Sequence, residues 1–158
     1  MSRGSTAVVY YSWSGNTRHV AGLIQARTGG VLKALEPEVP YPSSYEATLS
    51  LAKAEIREGK LPALAPMDLA IHAYDFIFLG SPNWWGTIAP PVAAFLSQYD
   101  LAGKIIAPFI THGGGGAQRT LDEIRKRCPR AQVLPALVVY GRGTGEEVEA
   151  WISTIRAE

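Results

Sequence analysis

Residues 6–24 read TAVVYYSWSGNTRHVAGLI, and the fold turns on how they are parsed. Thr6 to Tyr11 form a run of β-branched, aromatic and small apolar residues, the composition of a strand. Ser12 to Thr17 are small or polar, with Trp13 the exception. Val20, Leu23 and Ile24 then fall at helical spacing. A strand that passes through a tight polar turn into a helix is the first half of a βαβ unit.

The same alternation continues along the chain. Four more apolar runs occur at 30–36 (GVLKALE), 75–81 (DFIFLGS), 104–112 (KIIAPFITH) and 132–141 (QVLPALVVYG). They are nearly continuous in hydrophobicity rather than alternating, as strands covered on both faces of a parallel sheet are. Pro108 and Pro135 each remove a ladder donor, so each is expected at a strand edge or irregularity. Between the runs lie helical stripes. Val92, Phe95, Leu96 and Tyr99 form one, with Thr87 as expected cap and Pro90 and Pro91 in the first turn. Leu121, Ile124 and Cys128 form another. Val148, Trp151, Ile152 and Ile155 form the last, behind a capping box of Thr144 and Glu147. The expected architecture is α/β: a doubly wound, five-stranded parallel sheet in the order 2-1-3-4-5, in one domain spanning 1–158. Residues 37–74 make an extended, proline-rich crossover. It should hold one helix, capped by Ser43 and Glu46 and ending near Gly59. It is either a plain connection or a cover for a ligand edge through Tyr41 or Tyr45.

Composition narrows the function classes. A net charge of +1 argues against a nucleic-acid partner and against an acidic binding tail. The single cysteine, Cys128, excludes an internal disulfide and has no second ligand nearby for a metal. No signal peptide is legible, and no apolar run is long enough to span a bilayer. A cytoplasmic protein without membrane attachment is expected.

Three loops leave the same edge of the expected sheet, after its first, third and fourth strands. That edge, at the carboxyl ends of the strands, is where open α/β sheets bind ligands. In the first loop, Gly15 permits a tight turn and Asn16 or Thr17 can cap the helix. Free helical amides and the hydroxyls of Ser12, Ser14 and Thr17 can surround a phosphate. No acidic residue lies between Ser2 and Val31 to repel one. An ordinary capped turn is the competing reading. The loop lacks the Gly-Lys-Ser/Thr of a Walker motif and the Gly-x-Gly-x-x-Gly of a dinucleotide turn. The second loop, GSPNWWGT (80–87), sets Trp84 and Trp85 side by side, which either points at least one toward a planar partner or packs them under the loop. The third, THGGGGAQRT (111–120), offers glycine amides and His112, whose alternative is a structural role. A phosphorylated, planar heteroaromatic cofactor matches all three loops together.

Ser-Trp-Ser-Gly-Asn-Thr (12–17) after an aromatic strand end resembles the phosphate loop of the flavodoxin-like family. GSPNWWGTIAPPVAAFL followed by FITHGGGG resembles its Trp-Trp-Gly branch, in a short-chain form, since QVLPALVVYG leads directly into the last helix. The resemblance covers essentially the whole chain. It implies a three-layer sandwich with FMN as cofactor. Ser12, Ser14, Gly15, Asn16 and Thr17 would hold the phosphate, and Trp13 would either pack against the ribityl side or only cover the loop. Pro82, Asn83, Trp84, Trp85 and Gly86 would line the isoalloxazine, and Thr111, His112, Gly113, Gly114 and Gly115 its pyrimidine side. Gly86 would allow a neighbouring peptide to reorient. Two departures stand out. The glycine loop lacks the aromatic that usually covers the second flavin face, and the three loops carry no Asp or Glu.

Two redox functions follow as expectations, with a non-redox module that merely retains the fold as the alternative. One is electron carriage for a redox partner protein, for which the neutral rim gives weak electrostatic steering. The other is FMN-dependent oxidation of NAD(P)H with a quinone or similar small acceptor.

Overall fold

A computed structural model of the chain describes residues 5–155. The elements run β1 (Thr6–Tyr10), α1 (Asn16–Thr28), β2 (Val31–Ala34), α2 (Tyr45–Glu58), β3 (Phe76–Trp84), β4 (Thr87–Ile88), α3 (Pro90–Gln98), β5 (Ile105–His112), α4 (Thr120–Arg127), β6 (Gln132–Val133), β7 (Leu137–Tyr140) and α5 (Gly145–Ile155). The sheet order is β2-β1-β3-β5-β6, with β7 continuing along β5 beyond β6. These pairings are parallel; β4 alone runs antiparallel, against β3. This is the expected 2-1-3-4-5 order, the fourth predicted strand being β5 and the fifth the pair β6 and β7.

The two prolines account for that pair. Leu134 N–H donates to the Ile106 carbonyl, so position 106 faces the outer strand. Strand alternation turns position 108 the same way. The donor that Pro108 lacks would therefore face residues 134–136, where the outer strand is broken and Pro135 sits. The irregularity expected at each proline is one shared break.

Alternation also sorts the core into two layers. Ala7, Val9, Ile77, Leu79, Ile106 and Ile110 join α3 and α4 residues such as Phe95 and Ile124 on one face. Val8, Phe78, Ala107 and Phe109 pack on the other against Val20 and Ile24 of α1 and Trp151 of α5. Burial on both faces is what continuous apolar strands require.

Three expected caps shift. Thr87 does not cap α3; it lies in β4, and α3 starts with Pro90 and Pro91 at its first two positions. Ser81 Oγ accepts instead from the Ala89 amide at 2.9 Å, joining the end of β3 to the start of α3. For α2 the cap is Ser44 rather than Ser43; it accepts from Ala47 N–H and replaces the box with Glu46. Neither Asn16 nor Thr17 caps α1: both are helical, and Gly15 holds the N-cap position without a side-chain bond. The Thr144–Glu147 box forms reciprocally as expected.

Candidate functional site

At the carboxyl edge of the sheet the three loops converge. The first turns at Gly15, whose φ of 103° is left-handed backbone that other residues adopt only under strain. Its amide donates to Ser12 Oγ at 3.1 Å, and its carbonyl accepts the first helical bond, from His19. The amides of Asn16, Thr17 and Arg18 thus begin α1 with no side-chain cap, and no acidic residue stands in the first turn. Thr17 is turned inward. Its hydroxyl lies 2.7 Å from that of Thr111 at the end of β5, tying the first loop to the third.

The second loop is a two-residue hairpin. Trp84 pairs with Thr87, leaving Trp85 and Gly86 as the turn, with φ of 56° and 83°. Positive φ at both positions is the type I′ signature, which suits glycine and is an outlier for tryptophan. Arg119 holds the turn. Its Nη2 donates to the Trp85 carbonyl and its amide to the Gly86 carbonyl. A Cβ at Gly86 would lie 2.9 Å from that guanidinium. The expected freedom of the peptide at Gly86 is therefore clamped: it cannot rotate without releasing Arg119.

The two tryptophans part company. Trp84 is 4% exposed and meets Tyr11 and Tyr41 edge to face, at 5.5 and 5.6 Å between ring centres. Tyr41 donates to Glu55 Oε1 at 2.6 Å. Burial, and then Glu55, push the Tyr41 phenol far up; burial does the same for Tyr11. Trp85 is half-exposed and leans on α2, donating to the Leu49 carbonyl, with Lys53 Nζ 4.8 Å over its ring. Trp13 does likewise. Its indole donates to the Pro42 carbonyl, and its ring sits 5.2 Å from that of Tyr45.

Between the loops lies a cleft of about 280 Å³. It gathers Trp13, Ser14, Asn16 and Thr17, Pro82 to Trp84, and Thr111 to Gly113. A shallower extension of about 370 Å³ adds Trp85, Gly86 and Gly115. Ser12 and Gly15 face a different cavity, on the far side of their own loop. Gly114 lines neither part of the cleft; its amide donates to His112 Nδ1. That bond puts the imidazole proton on Nε2 and gives His112 a structural duty in the loop.

Sequence reasoning missed Tyr140. At the end of β7 it lines the cleft, 70% exposed, edge-on to His112 at 5.9 Å. The glycine loop itself offers no aromatic; Tyr140 stands beside it on the neighbouring strand, held there by the β5–β7 register of His112 against Tyr140. An exposed tyrosine directly before a glycine at the ligand edge was the available signal. Tyr45, offered earlier as a cover, also lines the cleft.

One buried polar atom has no partner among the described residues. Asn83 donates through Nδ2 to Gly116 O and Gln118 Oε1, and its Oδ1 is left unpaired. Such an orphan costs about 1–3 kcal/mol. Asn83 lines both parts of the cleft, so its amide supplies an acceptor at the place where a planar N–H-bearing ligand would sit. The uncapped helix start offers amides to an anion, and no carboxylate lines the cleft. This donor and acceptor set fits a phosphorylated flavin. Among the described residues no group of three or more His, Cys, Asp or Glu could hold a metal, and no helix is long and apolar enough to cross a membrane.

A family model described as flavodoxin matches residues 5–155. Among solved structures, a candidate flavoprotein from Bacteroides eggerthii is 26% identical, with a TM-score of 0.86 over 98% of this chain and 99% of its own. A flavoprotein from Lactobacillus acidophilus, solved in complex with FMN, is 24% identical with a TM-score of 0.77, over 94% of this chain and 99% of its own. The oxidised flavodoxin 2 of Bacillus cereus is 23% identical with a TM-score of 0.58, over 92% of this chain and 90% of its own. No curated protein matches the sequence.

Proposed function

Because the chain belongs to the flavodoxin family, we propose that it binds FMN in the cleft and carries electrons through it for a partner protein. The observation that supports this best is the convergence of an uncapped helix start, an orphaned Asn83 acceptor and aromatic walls around one cleft free of carboxylates. Bound there, FMN would supply the electron transfer, and the protein its binding, orientation and electrostatics. The α1 amides with Ser14 would hold the phosphate, and Thr17 and Thr111 would brace the loop behind them. Trp84 and Tyr140 would flank the ring system. Asn83 would accept from a ring N–H, and the Arg119 clamp would fix the hairpin beside it. Ser12 would order the turn, through the bond that its Oγ accepts from the Gly15 amide.

A second reading is oxidation of NAD(P)H with a quinone or similar small acceptor. The exposed rim favours it. Lys53 and Arg119 bracket Trp85 with positive charge, so the acidic patch that steers a carrier onto a basic reductase is absent from the hairpin. Adding FMN to apoprotein and following flavin absorbance and fluorescence tests the binding. Anaerobic assays with NAD(P)H and a quinone then separate carrier from enzyme. A protein that leaves flavin free in solution refutes both.

A further inference from the structure

Among the described residues the exposed tyrosines and tryptophans are Tyr45, Trp85 and Tyr140, and all three stand at the cleft. They come from α2, the hairpin of β3 and β4, and the end of β7, segments far apart in sequence. Exposed aromatics scattered singly need no explanation. A group gathered at one edge marks a surface that another molecule covers.

Charge gathers at the same edge. The segments that build the rim (12–19, 45–53, 80–92, 111–119 and 140–145) hold Arg18, Lys53, Arg119 and Arg142 against one carboxylate, Glu46. The whole chain is nearly balanced, with 15 Lys and Arg against 14 Asp and Glu, so the excess is local. Arg18 lines the cavity on the far side of the first loop. The other three accompany the aromatics. Lys53 Nζ lies 4.8 Å over the Trp85 ring, and Arg119 donates to the Trp85 carbonyl. Arg142 follows Gly141, which lines the cleft beside Tyr140. All three cations are exposed, and none joins an ion pair among the described residues. The basic cluster on α4 differs in this, since Arg125 pairs with Asp122 and Arg127 with Glu123.

We propose that this rim docks a redox partner protein whose own face is acidic. The partner's carboxylates meet Lys53, Arg119 and Arg142 around an aromatic anchor at Trp85. This rests on the carrier reading above and gives the partner its sign. An indole beside an arginine has the composition of an interface hot spot. Unpaired cations give up no internal ion pair when a partner arrives, and complementary charge speeds encounter and fixes orientation. With a net charge of +1 the molecule as a whole steers almost nothing, so the local rim decides. A phosphate held at the start of α1 leaves the rim its charge, because no α1 residue lines the part of the cleft that holds Trp85 and Arg119.

The test uses two small redox proteins of opposite charge as probes, an acidic two-iron ferredoxin and basic cytochrome c. FMN uptake is measured separately by flavin titration. At low salt the ferredoxin should shift the amide NMR signals of Trp85, Gly141 and Arg142 in isotope-labelled apoprotein, and cytochrome c should not. With FMN-loaded protein, electron exchange with the ferredoxin should slow about tenfold between about 10 and about 300 mM salt. Lys53→Glu combined with Arg142→Glu should abolish both effects. Both residues are exposed and hold no part of the flavin, so the double variant should fold and take up FMN; circular dichroism and the flavin titration check this. Equal shifts with both probes, shifts centred on residues 125–130 instead of the rim, or exchange indifferent to salt would each overturn the proposal. Rim shifts in a protein that takes up no FMN would uphold the acidic partner and refute the flavin reading; FMN uptake without rim shifts would do the reverse.

Discussion

The hydroxyls of Thr17 and Thr111 are 2.7 Å apart across 94 residues of sequence. Both side chains are buried, so each is the other's means of staying paired away from water. Thr111→Val should leave Thr17 unpaired and cost about 1–3 kcal/mol, whereas adding Thr17→Val should recover part of that loss. Urea unfolding of the four proteins of the cycle measures it. FMN affinity should fall in both single variants, since the pair braces the start of α1.

Gly86 and Arg119 are coupled in the same sense. Gly86→Ala meets a backbone φ of 83° and the guanidinium at 2.9 Å, and should destabilise by about 1–2 kcal/mol. Arg119→Ala frees the Trp85 carbonyl and should lower amide-exchange protection across the hairpin. With the guanidinium gone, the alanine at 86 should cost less than in the parent, leaving only the backbone strain.

Tyr140 is exposed and contributes little to the core. Tyr140→Ala should change stability by less than about 0.5 kcal/mol, as at most surface positions. Its loss should nevertheless weaken FMN binding by about 2- to 10-fold, the worth of one aromatic contact. Fluorescence titration separates the two effects.

The buried phenols predict a particular pH response. Folding raises the Tyr41 and Tyr11 pKa values, by burial first and Glu55 second. A raised phenol favours the folded state fully below its unfolded value of 10.0. That contribution drains away as pH climbs from there toward the folded value. Urea midpoints should hold steady through neutral pH and fall once pH exceeds about 10. Tyr41→Phe should flatten that fall, at a cost of about 1 kcal/mol near neutrality for the lost bond to Glu55.

Much of this was legible in the sequence because parallel strands buried on both faces write themselves as unbroken apolar runs. The sheet order, the three loops and the α5 capping box were readable that way. What escaped depended on contacts between distant segments. Nothing local says that Trp84 turns inward to Tyr11 and Tyr41 while Trp85 turns outward onto α2. Nor does a single strand reveal that Tyr140 will stand opposite His112, since that follows from register. The α2 cap slipped by one residue because the adjacent hydroxyls of Ser43 and Ser44 compete for one amide, and α1 starts at Gly15 with no side-chain cap at all. Thr87 was lost to β4 because a two-residue hairpin claimed it first.

The docking of Trp13 and Trp85 on α2 has a practical use. Their indole N–H groups are bonded to the Pro42 and Leu49 carbonyls, and Trp84 lines the cleft. The remaining tryptophan, Trp151, packs in the opposite layer with its N–H on Pro135. Three emitters thus report on one edge of the sheet and a fourth on the far side. Intrinsic fluorescence can follow events at the cleft against a built-in reference, without any attached dye.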